Sequence, residues 1–167
     1  MKELAILFMV FNATFTMNAQ ILEGNHWTAR KVDDVYIVSV QDKSSISEAL
    51  TDFAISQKIQ GGEVTGIGAV NEATLRFFDP ATKKYDDKVF NEQMEISNLS
   101  GNIAIEAGKT FLHLHITLGR RDYTALAGHL LDAKTRGAGE FFIHPVDTKM
   151  IKVKNDDVGL YFYDFQK

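Results

Sequence analysis

Only one stretch of this chain carries the spacing of a helix, and that restricts most of the remainder to sheet. Ser45-x-x-Glu48 is a capping box, whose side chains satisfy the free N–H groups at a helix start. Behind it Ile46, Ala49, Leu50, Phe53 and Ala54 recur at helical spacing, one apolar stripe on a helix that ends near Lys58 and is closed by Gly61-Gly62. The other apolar segments alternate with polar residues or are rich in β-branched and aromatic ones. Residues 35–40 (VYIVSV), 63–70, 73–78, 85–90, 94–105, 110–118, 139–144 and 159–165 read as strands, and 130–135 as a short helical turn. Glycines and Asn71-Glu72 separate the second strand from the third, and Asp79-Pro80 opens a turn. One main helix with seven or eight strands predicts an α+β domain, a mostly antiparallel sheet with helices on one side.

Composition narrows the class further. The 167 residues include no Cys, so neither a disulfide scaffold nor a thiolate metal site is available. With 45% hydrophobic residues the chain can bury one ordinary core. Lys and Arg number 18 against 22 Asp and Glu, a net charge of -4 that argues against binding along phosphate backbones. No segment approaches the ~20 apolar residues of a helical membrane span.

Lys2 precedes the apolar run Leu-Ala-Ile-Leu-Phe-Met-Val-Phe, and a polar stretch then leads to Ala19-Gln20. A positive start, a short apolar stretch and a small residue before a polar one make residues 1–19 a signal peptide, cleaved after Ala19. Glu3 and the bulky Met17 fit that pattern less well, and the competing reading is an N-terminal core element. Removal of Lys2 and Glu3 together leaves the net charge unchanged. The expected location is outside the cytoplasm, most simply a bacterial periplasm.

The chemistry sits in Phe111-Leu-His-Leu-His-Ile-Thr-Leu118. Residues two apart on a strand share a face, so His113 and His115 point one way while Leu112, Leu114, Ile116 and Leu118 point the other. Two imidazoles about 7 Å apart on one face can chelate a divalent ion, and His129 offers a third ligand. If Ala107-Gly108 is a two-residue turn, Asn102 faces His113 and Ser100 faces His115. Asn102 and Ser100 then become candidates for orienting the imidazoles from behind. Three neutral imidazoles suit Zn, Ni, Cu or Fe rather than Ca or Mg, and leave a position open for water. The plain alternative is a polar strand face with no ion.

Glu95 and Glu140 are candidates for a catalytic base beside such an ion. A regular ladder puts Glu95 on the apolar side, so it needs a partner or a bulge near Gly101. His26 and His144 read as surface or packing residues. Gly61-Gly62-Glu63-Val64-Thr65-Gly66-Ile67-Gly68 lacks the Gly-Lys-Ser/Thr ending of a phosphate loop and reads as close strand packing.

The order of motifs resembles a known family. The capped helix leads into Gly61-Gly62-Glu63-Val64-Thr65-Gly66-Ile67-Gly68-Ala69, Ala73-Thr74-Leu75 and Phe78-Asp79-Pro80, then Met94-Glu95-Ile96-Ser97-Asn98-Leu99-Ser100-Gly101-Asn102-Ile103, His113-Leu114-His115 and Ala127-Gly128-His129-Leu130. Together they resemble the plant and prokaryote conserved (PPC) domain, the domain that follows AT-hooks in land plants, over Trp27 to Phe165. Ala127 stands where the family commonly has Gly. The resemblance implies a homotrimer in which His113, His115 and His129 form a metal site near a subunit boundary, with zinc favoured. It also implies the DNA-binding label common in the family, but no Arg-Gly-Arg-Pro core occurs in this chain. The expected function is an exported, trimeric, metal-binding protein that takes a small ligand or partner. The alternatives are a metal-dependent enzyme that activates water, a DNA-binding protein, and a purely structural trimerisation module.

Overall fold

The computed structural model describes residues 20–166, so the signal-peptide reading of residues 1–19 lies outside the described residues. Helix α1 (Ile46–Ser56) forms where the capping box predicts it. The Ser45 hydroxyl accepts the Glu48 N–H at 3.0 Å and donates to Asp132 Oδ1 at 2.8 Å, tying the helix start to the sheet. All five residues of the apolar stripe are buried. The helix stops earlier than Gly61-Gly62. Lys58 takes the left-handed conformation (φ 55°), and the Ile59 N–H returns to the Ala54 carbonyl at 2.9 Å, as in a Schellman cap.

The described residues also form ten strands: β1 (Ile21–Gly24), β2 (Trp27–Val32), β3 (Val35–Val40), β4 (Gly62–Asp79), β5 (Lys84–Phe90), β6 (Met94–Glu106), β7 (Lys109–Gly119), β8 (Ala125–Pro145), β9 (Ile151–Asn155) and β10 (Leu160–Tyr163). They pair in the order β1-β2-β3-β8-β4-β6-β9-β10, with β5 on β4 and β7 between β6 and β8. Pairing therefore runs β4–β6–β7–β8 and back to β4, a closed ring. Among the described residues the only parallel contact is β6 with β9. This is one mostly antiparallel, mixed sheet with a single α-helix among the described residues, so the predicted flanking helices reduce to one.

Several element boundaries differ from the sequence reading. Strand β4 runs unbroken, because Gly66–Gly68 and Asn71-Glu72 become register shifts rather than chain breaks. Residues 130–135 lie within β8 and form no helical turn. Strands β1, β2 and β9 are not anticipated, and β1 extends the sheet ahead of Trp27. The glycine-rich stretch packs closely as expected. A side chain at Gly66 would strike the Phe141 ring, and one at Gly68 the Ala138 carbonyl.

The core lies between α1 and the sheet. The rings of Trp27 and Tyr36 meet Phe53 edge-on at 5.0 and 5.2 Å, and the Trp27 indole N–H donates to Asp52 Oδ2 at 2.7 Å. Leu99, Ile103, Leu114, Ile116 and Leu118 fill the core from β6 and β7. Their burial fixes the register of the hairpin, since a one-residue slip would expose all of them.

Candidate metal centre

The turn joining β6 to β7 has positive φ at both central residues, 48° at Ala107 and 79° at Gly108, the geometry a two-residue hairpin favours. Asn102 therefore pairs with His113 and Ser100 with His115. The buried Leu114 and Ile116 alternate with the two histidines, which turn to the other face. After the 120–124 connection β8 runs back along β7, and His129 pairs directly with His115. All three imidazoles thus share one face of two adjacent strands. Their ring centroids form a nearly equilateral triangle with sides of 5.2, 4.9 and 5.3 Å. One nitrogen from each ring lies within 4.8 Å of the others. Small side-chain rotations bring such a set to the ~2.0–2.1 Å metal–nitrogen distances of a zinc site.

Burial and neighbouring positive charge favour the neutral form of two of these rings, His113 and His129. Burial, the Lys152 ammonium and His115 lower the His113 pKa to about 4. Burial and the other two histidines lower that of His129, also to about 4. Neutral imidazole is the form that binds a metal.

Asn102 and Ser100 stand behind the rings, but their side-chain bonds go elsewhere. Asn102 Oδ1 accepts from Lys152 Nζ at 2.9 Å, and that ammonium lies 3.5 Å from His113 Nδ1. Ser100 Oγ accepts from Asn98 at 3.5 Å. Asn102 thus reaches His113 through Lys152.

The triangle opens into a cavity of about 500 Å³ walled by Phe78, Tyr85, Phe111, Leu160 and Tyr161. Arg76, held to Asp87 by two hydrogen bonds of 3.0 and 2.8 Å, lies over the Tyr85 ring at the same opening.

Neither predicted carboxylate borders this cavity. Glu95 is exposed and lines a separate cleft with Glu92 and Arg120. The bulge that turns it outward lies between Ile96 and Asn98, not at Gly101. Glu140 is exposed on β8 opposite Ser39 and Ile67. His26 sits in the β1–β2 turn and His144 on β8, both away from the triangle. The carboxylate that does face the cavity is Glu106, whose pKa burial raises. Alternation along β6 from Ser100 and Asn102 leads to Glu106, so the strand pattern contained that signal. Lys152 carries no such signal, because it reaches the site only through the parallel β6–β9 contact.

Residues 28–147 match the Plants and Prokaryotes Conserved (PCC) domain, the domain also written PPC. The chain belongs to this family. A protein of Bacteroides thetaiotaomicron, described as a candidate DNA-binding protein, is 50% identical with a TM-score of 0.84, covering 86% of this chain and 100% of its own. A metal-containing protein of Archaeoglobus fulgidus is 27% identical with a TM-score of 0.74, covering 80% of this chain and 94% of its own. A PPC protein of Pyrococcus horikoshii is 20% identical with a TM-score of 0.73 over 87% of this chain and 99% of its own, a likeness of fold. No protein in the curated set matches this PPC chain.

Proposed function

We propose that this PPC protein binds a divalent transition metal, with zinc favoured, through His113, His115 and His129, and offers the ion's open position to a small ligand. The convergence of three ring nitrogens within 4.8 Å carries the reading. The all-nitrogen donor set suits such an ion, and the lowered pKa values of His113 and His129 keep two donors unprotonated at neutral pH. The metal-containing description of the Archaeoglobus fulgidus relative agrees with it. When bound, such an ion acidifies water or polarises a carbonyl. The protein works as a homotrimer outside the cytoplasm, following the family resemblance and the pattern of residues 1–19.

Metal analysis of untagged protein tests the centre. About one transition ion per chain is expected in the wild type and almost none in a His113→Ala, His115→Ala double variant. Equal metal in both would overturn the assignment. A second reading, a metal-dependent hydrolase, is favoured by Glu106 in the same cavity. It requires turnover of an ester, amide or phosphoester that Glu106→Gln suppresses while metal content stays constant.

A further inference from the structure

Lys152 is an unusual lysine, only 6% exposed yet at the edge of the histidine cavity. Its ammonium donates to a neutral amide oxygen, that of Asn102, and lies 4.9 and 5.6 Å from the Tyr163 and Phe111 ring centres. No carboxylate oxygen among the described residues comes within ion-pairing distance of it. Glu106, its neighbour across the β6–β9 pairing, acts on it only at longer range. A buried charge with no carboxylate in contact is costly, and a ligand carboxylate that reached Lys152 would relieve that cost. One oxygen of the half-buried Glu106, Oε2, has no hydrogen-bond partner among the described residues.

Charge accounting around the cavity points to the ligand's sign. Arg76 is neutralised by Asp87, and Lys152 and Glu106 cancel in net charge without forming an ion pair. Three neutral imidazoles bring no charge to a divalent ion, so its two positive charges remain uncompensated. The walls point to the ligand's body. They are aromatic and aliphatic, with a volume inside the usual range for small-molecule sites, and they suit an organic group better than a bare inorganic anion.

We propose that the cavity beside the three histidines takes a small organic carboxylate, its oxygens shared between the ion and the Lys152 ammonium and its body against Phe78, Tyr85 and Phe111. The assignment rests on the metal-binding reading and specifies the ligand of that same site.

The test uses full-length, untagged protein loaded with zinc, its metal content measured first. Calorimetric titration with phenylacetate, 2-phenylethanol and inorganic phosphate then compares a carboxylate, its neutral analogue and a non-carboxylate anion. Phenylacetate is expected to bind at least ten-fold more tightly than either of the others. Lys152→Met should weaken phenylacetate ten-fold or more with zinc content unchanged, and Lys152→Arg should restore part of the loss. In the cobalt-substituted protein, phenylacetate should alter the visible absorption bands of the ion. Full zinc occupancy with no preference for phenylacetate, or tighter binding of phosphate, overturns the carboxylate assignment and leaves the metal centre standing. So does a folded Lys152→Met variant that binds phenylacetate as the wild type does. Failure to hold zinc removes the centre and this assignment together. If Lys152→Met does not fold, the wild-type preference among the three probes and the cobalt spectrum decide.

Discussion

His129 turns a pair of histidines into a chelating set, because it is cross-strand from His115 and within 5.3 Å of both partner rings. Replacing it with Ala should weaken zinc binding by about 100-fold or more, since each ligand contributes several kcal/mol to such a site. His26→Ala should leave affinity unchanged. Competition with a coloured chelator measures both. The depressed pKa values of His113 and His129, each about 4, also set a pH window. An unfolded histidine titrates near ~6.5, so the unfolded chain binds more protons below that pH. Stability from these rings is complete above pH ~6.5 and is lost as pH falls toward 4. Melts of metal-free protein should show the melting temperature falling through that interval, with a shallower fall in a His113→Gln, His129→Gln variant. At this scale the sequence was informative: alternation alone put His113 and His115 on one face and away from Leu114 and Ile116. It could not disclose Lys152, whose approach depends on a parallel pairing between β9 and a strand far away in the chain.

The hairpin of β6 and β7 holds its register by burial on one face and close backbone contact at Gly101. A Cβ at Gly101 would run into the carbonyl oxygen of His113, a backbone atom that cannot swing aside. Gly101→Ala should therefore cost about 1–3 kcal/mol of stability, the usual range for overpacking, and shift His113. Thermal melts should show the loss and chelator competition a weaker metal site. A variant as stable and as tight as the wild type would refute this account of Gly101. The hairpin was legible because its turn residues, apolar positions and polar positions all agree on one register. Strand β8 was not. Asp132 pairs with Thr74, and Leu130 with Leu75, so Leu131 is skipped and the buried positions Leu130 and Ala133 fall three apart. That spacing imitates a helical turn, and only the neighbouring strand shows that it is a bulge. Likewise the bulge between Ile96 and Asn98 reverses the facing of Glu95, which a regular ladder places on the apolar side.

Across the whole molecule, a net charge of -4 opposes association with polyanions. Electrophoresis with short duplex DNA should show no shift near physiological salt, whereas a shift weakening steeply with added salt would restore the DNA-binding reading. Light scattering should return three times the chain mass if the molecule assembles as the family resemblance implies, and a monomer would remove that part of the proposal. The family and α+β class were readable because motifs spread over most of the chain keep their order. Strand count was not, since short edge strands such as β1 and β9 carry little hydrophobic pattern of their own. The closed circuit β4–β6–β7–β8 gives β7 and the His129 segment of β8 a hydrogen-bonded neighbour on either side. No free edge exists there to fray, so the amides of His115 and His129 should be among the slowest to exchange with heavy water. Stripping the ion with a chelator ought then to leave an intact receptacle that refills without refolding.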